Sequence, residues 1–225
     1  MKKILIMILV LAMVISLSAC GDAPATQNTE QKPATTKPSQ STSADLDIGI
    51  VLPTKDEPRW IQDETRFTEA LNSTDFDVEV LFSQGDSAKE KQNVEALIAK
   101  GIKVLIICPQ DGAAAASAAE AAKKEGITVI AYDRLITDTD AVDYYVTFDS
   151  FAVGAAQGQY LIDKATGKGN PLYLYAGSAA DNNAFIFFDG AWSVLQPKIA
   201  DGTFVIKNSS EAVALQGKAA LTRDE

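Results

Sequence analysis

From Asp47 onward, short apolar runs alternate with stretches in which apolar residues return every three or four positions. DIGIVLP (47–53) predicts a first strand, and PRWIQDETRFTEALN a helix with Pro58 in its first turn and Ile61, Phe67 and Leu71 among its apolar positions. FDVEVLF (76–82) alternates apolar with polar, the pattern of a more exposed strand. SAKEKQNVEALIAKG (87–101) has Ser87 as a candidate cap and Gly101 as its stop. KVLIICP is a third strand, and the alanine-rich DGAAAASAAEAAKKEG a helix closing in Lys, Lys and Gly, as its dipole favours. ITVIAYD and YYVTFD give a fourth and a fifth strand. In the helix SFAVGAAQGQYLIDKATG, Gly154, Ala155 and Gly158 leave room for a close neighbour. PLYLYAG (171–177), NNAFIFFDGAWSVLQPKIADG and TFVI then read as strand, helix and strand.

Regular alternation with short connections predicts an α/β fold: a parallel sheet flanked by helices on both faces. Right-handed crossovers place the strand ends along one rim, and ligands bind outside the carboxyl ends. Four polar clusters follow strands: PTKDEPRW, Asp133–Arg134, Asp149, and AGSAADNN. Together they offer Arg59, Trp60, Asp133, Arg134, Asp149, Asp181, Asn182 and Asn183. Carboxylates accept from hydroxyls, guanidinium donates in a planar fork, and Asn does both. An indole face can stack on a C–H face, so the set matches a monosaccharide. Each residue also has a plainer reading. Asp133–Arg134 can be a solvated turn, Asp149 and Asp181 helix caps, and Trp60 core. No phosphate-binding glycine motif occurs.

Composition narrows the field further. The 225 residues carry a net charge of −10 and no histidine, with 47% apolar residues. The acidity argues against nucleic-acid binding. Without His, the commonest metal ligand and general base are missing, which lowers the case for an enzyme without excluding one. No metal or cofactor is called for.

Residues 1–20 read as a targeting segment: Lys2 and Lys3, an apolar stretch, then LSAC. LSAC resembles the lipobox of bacterial lipoproteins, which implies cleavage before Cys20 and acylation of its thiol; an uncleaved anchor is the plainer alternative. Either way the protein is exported and held at the membrane, facing outside the cytoplasm. Residues 21–45, rich in Ser, Thr, Pro, Ala and Gln, read as a flexible tether. The other cysteine, Cys108, ends an apolar run and reads as a small buried hydrophobe.

PTKDEPRW, GIKVLIICPQDG, EGITVIAYDRLI, YYVTFDSFAVG and GSAADNNAFIFFDGAWSVLQPKIADG resemble the xylose-binding and multiple-monosaccharide-binding proteins of bacterial sugar ABC transporters. The resemblance runs from about Asp47 to Lys207. It implies the periplasmic binding protein type I fold, in which two α/β lobes joined by a hinge clamp one sugar. By position it implies ligand roles for Arg59, Trp60, Arg134, Asp181 and Asn183; Asp133 and Asp149 match positions that bind sugar in related ribose binders. AGSAADNN departs from the family's usual loop at Ala176 and Ala179. On this reading residues 46–207 are the N-terminal lobe and 208–225 the start of a truncated second lobe, which is mostly missing. The expected function is capture of xylose, glucose, galactose or arabinose by a monomeric lipoprotein that delivers it to an ABC permease. Hinge closure follows because only the closed form contacts the sugar on both sides. The chain alone is expected to bind weakly or not at all, and AFIFF to expose apolar surface. Alternatives are a sugar sensor for a chemotaxis receptor or kinase, and an exported enzyme using Asp133 and Asp149. A repressor core is disfavoured by the export segment.

Overall fold

The computed structural model describes residues 46–208. Residues 1–45, Cys20 and the tether among them, and 209–225 lie outside the described residues. Strand and helix alternate as expected: β1 (Ile48–Leu52), α1 (Pro58–Leu71), β2 (Val78–Phe82), α2 (Ser87–Ala99), β3 (Val104–Ile107), α3 (Ala116–Lys124), β4 (Thr128–Tyr132) and β5 (Tyr144–Val146). There follow α4 (Ser150–Lys164), β6 (Asn170–Leu172), α5 (Asn182–Ala200) and β7 (Phe204–Ile206).

Five strands form one parallel sheet in the order β2-β1-β3-β4-β5. Strand residues alternate between two cores, because successive side chains point to opposite faces. Val51, Leu105, Ile107 and Val129 pack with Val94 and Leu97 of α2 and Ala118, Ala119 and Ala122 of α3. On the other face Ile48, Ile50 and Leu52 pack with Trp60 of α1, Phe82 and Cys108. The chain leaves β1 to one side and β3 to the other, so the order reverses between them. A ligand crevice is expected outside the carboxyl ends at such a reversal.

Three expectations need correction. PLYLYAG and TFVI do not extend this sheet: β6 pairs in parallel with β7 in a separate two-stranded sheet. The physical reason is a core of its own, in which Leu172, Leu195, Ile199, Phe204 and Ile206 pack together. Strand character stops at Leu172; beyond it the Asn208 side chain accepts from Leu174 N–H at 2.9 Å and donates to its carbonyl. Second, Asp86 rather than Ser87 caps α2: its carboxylate accepts from Ala88 and Lys89 N–H at 2.7 and 3.0 Å. Helix α3 also starts five residues later than DGAAAA suggests, after a turn in which Asp111 accepts from Ala113 and Ala114 N–H.

The small residues of α4 face α5. A Cβ on Gly154 would stand 2.0 Å from Phe187 O, and one on Gly190 2.1 Å from Phe151 O. The two helices therefore touch backbone to backbone, which only glycine permits.

Candidate ligand site at the carboxyl rim

All five strands of the main sheet run parallel, so their carboxyl ends share an edge, and each contributes to it. After β1, Pro58 at the first helical position of α1 brings Arg59 and Trp60 to the rim. Glu57, just before that helix, does not cap it; its carboxylate accepts from Trp60 Nε1 at 3.1 Å. After β4 the chain turns sharply at Asp133, whose φ is +64°. Arg134 N–H reaches back to Tyr132 carbonyl at 2.7 Å, the bond of a γ-turn in its rarer, strained form. A non-glycine residue held at positive φ costs roughly 1–3 kcal/mol, and such strain clusters at functional sites. Its consequence here is that the Asp133 carboxylate turns towards α1 while its carbonyl turns towards α5.

Two linked networks result. Arg59 pairs with Asp133 through its terminal nitrogen, and its Nε lies 3.6 Å from Asp63. Asp63 is buried and also accepts from Tyr132 hydroxyl at 3.2 Å and Arg66 at 3.1 Å. Burial opposes charge on Arg59, but the hydrogen bond and charge of Asp133 outweigh it and hold the guanidinium more firmly protonated. The Asp133 carbonyl accepts from Asn183 Nδ2 at 2.9 Å, Tyr145 hydroxyl at 3.0 Å and Thr147 hydroxyl at 3.0 Å. Asn183 Oδ1 in turn accepts from Ser150 hydroxyl at 3.1 Å. Burial, with the charges of Asp133 and Asp181, raises the Tyr145 phenol above its usual value, so the hydroxyl stays a donor; the Thr147 hydrogen bond opposes the shift. In the second network Arg134 Nε pairs with Asp181 at 3.1 Å, while its Nη1 donates to Pro109 carbonyl at 3.3 Å.

The structure thus brings Arg59, Asp133, Arg134, Asp181 and Asn183 together. Trp60 is 1% exposed, in the core. Its ring lies under both guanidiniums, 4.5 Å from Arg59 and 5.4 Å from Arg134, a cation–π support rather than an open platform. Asn183 is also buried, with both ends of its amide engaged. Asp149 is exposed and caps α4 through Ala152 N–H at 2.9 Å; no contact joins it to the networks among the described residues. Asp181 both pairs with Arg134 and caps α5 through Asn183 N–H. Asn182 lines a pocket with Asp111 and Thr137 whose lining includes no arginine. Sequence reasoning missed Asp63, Tyr145 and Thr147. The YYVT alternation was the available signal, since it places Tyr145 and Thr147 on one side of the strand.

A cavity of about 300 Å³ lies elsewhere, between β6 and α5, lined by Tyr173, Tyr175, Phe187, Phe188 and Trp192 and reaching the rim only at Asp181. Among the described residues no group of acids and cysteines is placed to hold a metal ion. Cys108, fully enclosed beneath the rim, has its thiol pushed far up by burial and is an inert packing residue.

Comparison with known proteins bears on the family and the fold. A family model described as "Periplasmic binding protein domain" matches residues 48–224. A multiple sugar-binding periplasmic protein of Azospirillum brasilense is 39% identical over 163 residues, covering 71% of this chain and 46% of the relative. A D-xylose-binding periplasmic protein of Escherichia coli is 35% identical, covering 70% of this chain and 47% of the relative. The chain spans about half the length of the curated relatives it matches. A carbohydrate transporter solute binding protein of Chloroflexus aurantiacus, solved in complex with D-glucose, is 79% identical, with a TM-score of 0.75 over 80% of this chain and 53% of that one.

Proposed function

The chain belongs to the periplasmic binding protein domain family, and we propose that it captures a monosaccharide at the carboxyl rim of its five-stranded sheet for import. The observation that carries this is the pairing of Arg59 with Asp133 and of Arg134 with Asp181 around one edge. Without ligand these forks and carboxylates satisfy one another. A sugar hydroxyl, donor and acceptor at once, can insert between the members of a pair without leaving either unpaired. The glucose-bound neighbour and the sugar-binding relatives support that ligand class. The relatives are solute-binding proteins rather than enzymes, and capture without bond chemistry is the reading we carry.

Helix α4 begins where the five-stranded sheet ends, and Asp181 and Asn183 reach the rim from beyond it. We place the two sides of a sugar clamp at this seam, so the second lobe would begin near Ser150 rather than at 208, as the sequence alone suggests. Domain closure across it would present a loaded receptor to an ABC permease. Delivery outside the cytoplasm would follow from an acylated Cys20; incorporation of an alkyne-tagged fatty acid, lost in Cys20→Ser, checks that anchor.

Titration of the chain with D-glucose, D-xylose, D-galactose and L-arabinose, followed by saturation-transfer NMR, tests capture. The expected result is saturable binding with Kd in the millimolar range, about −4 kcal/mol, abolished by Arg134→Ala. Absence of saturable binding for all four sugars overturns the proposal, micromolar affinity refutes the expectation that the chain alone binds weakly, and release of a product would make the chain an enzyme.

A further inference from the structure

Glu90, in the first turn of α2, lies outside both rim networks, yet it is 1% exposed. Its Oε2 accepts from the backbone N–H of Gln110 at 2.7 Å and stands 3.5 Å from the Ser83 hydroxyl. The N–H of Gln110 and the carbonyl of Pro109 belong to a single planar peptide group. That carbonyl accepts from Arg134 Nη1 at 3.3 Å. One rigid unit therefore has Glu90 at one end and a rim guanidinium at the other. A charged acceptor on the N–H also polarises the unit and makes its carbonyl a stronger acceptor.

We propose that Glu90 is a positioning residue of the sugar site: by gripping the Pro109–Gln110 peptide, it sets where the Arg134 guanidinium stands, and its protonation loosens that grip. The proposal rests on the capture function above for its consequence, not for its geometry. The groups facing the Glu90 carboxyl are Ser83 from the end of β2, Gln110 and Asp111 from the end of β3, and Arg134 from the end of β4. Burial pushes Glu90 up to about 7, opposed by the Gln110 and Ser83 hydrogen bonds and the charge of Arg134, and assisted by Asp111. The carboxylate that grips the peptide best is then only half populated near neutrality. The chain has no histidine, so a midpoint near 7 has no imidazole to be confused with.

A carboxyl whose folded value is raised stabilises the fold most at low pH, and that contribution is lost as pH rises from its ordinary value through about 7. Site quality runs the opposite way, because the ionised form holds the peptide.

The test is the Arg134 Nε–H resonance of the ¹⁵N-labelled chain between pH 5.5 and 8.5, with sugar affinity measured in parallel. Glu90→Gln is the variant, since its amide oxygen can still accept from Gln110 N–H but cannot titrate. The expected wild-type result is an Arg134 resonance titrating near pH 7 and sugar binding roughly threefold tighter at the alkaline end. In Glu90→Gln both are flat. An Arg134 resonance that does not move in the wild type, or moves equally in Glu90→Gln, overturns the proposal, as does sugar affinity independent of pH. A resonance that titrates as expected while no sugar binds at any pH sinks the capture function and leaves the Glu90–Arg134 coupling standing.

Discussion

Ile50 and Leu52 on one face of the five-stranded sheet, and Val51, Leu105 and Val129 on the other, are all fully buried; Tyr173 and Tyr175, just beyond β6, are 57% and 85% exposed. The contrast is between a region whose central strands are covered on both sides and one whose sheet has two strands, helices packed through glycines, and aromatics left outside. In the first region helices pack on both faces of the central strands β1, β3 and β4, while the edge strand β5 stays exposed. In the second, α4 and α5 bury a single small core, and Phe151, Tyr160 and Leu161 of α4 are exposed. The indole N–H of Trp192 finds no acceptor among the described residues. Stability is therefore expected to be uneven, high at β1, β3 and β4 and low at β6 and β7. The candidate site uses both regions: Arg59, Asp133 and Arg134 come from the rigid one, Asp181 and Asn183 from the looser one. That arrangement suits a receptor in which a ligand completes the order of one side.

The most severe way to test the contrast is to separate α4 from α5. In Gly154→Ala the new methyl meets the Phe187 carbonyl, a backbone atom that cannot swing aside. Overpacking of this kind costs about 3 kcal/mol, and here the helices must part to relieve it. Amide hydrogen exchange should show protection lost through α4, α5, β6 and β7 and retained in β1, β3 and β4. Protection lost evenly across both regions would mean that they fold as one cooperative unit, and the contrast would fail.

The sequence carried the element order well because period is a local property. Runs such as KVLIICP and repeats such as VEALIA announce strand and helix without knowledge of neighbours. Which sheet a strand joins is not local, and PLYLYAG looks the same whether it lies beside YYV or beside FVI. The site was legible at the level of its rim. Arg59, Asp133, Arg134 and Asp181 follow strands or open helices in the sequence, and the parallel topology gathers them. What the letters hid was each residue's direction. Trp60 looks like a platform and is core, because α1 turns its ring inward over Cys108 and Phe82. Asp149 looks like a ligand, and in the structure its side chain caps α4. Glu90 reads as an ordinary acid complementing a helix dipole; only the tertiary approach of Gln110 gives it a second role.

A milder change probes the joint between the regions. Asn183 belongs to α5, but its amide donates to the carbonyl of Asp133 and accepts from Ser150, so it ties the looser region to the strained turn after β4. In Asn183→Ala the Asp133 carbonyl keeps Tyr145 and Thr147 as donors, while the Ser150 hydroxyl loses its acceptor. The cost should therefore fall near the lower end for a buried polar group left unpaired, about 1 kcal/mol. Urea unfolding would register it as a lower midpoint at unchanged slope. The same variant should weaken sugar binding, because Asp133, with one donor fewer on its carbonyl, is held less firmly at its positive φ and Arg59 follows it. A loss of stability without a loss of binding would make Asn183 a packing residue only. A loss of binding at unchanged stability would make the joint part of the site, in which the looser region orders the rim rather than merely resting against it.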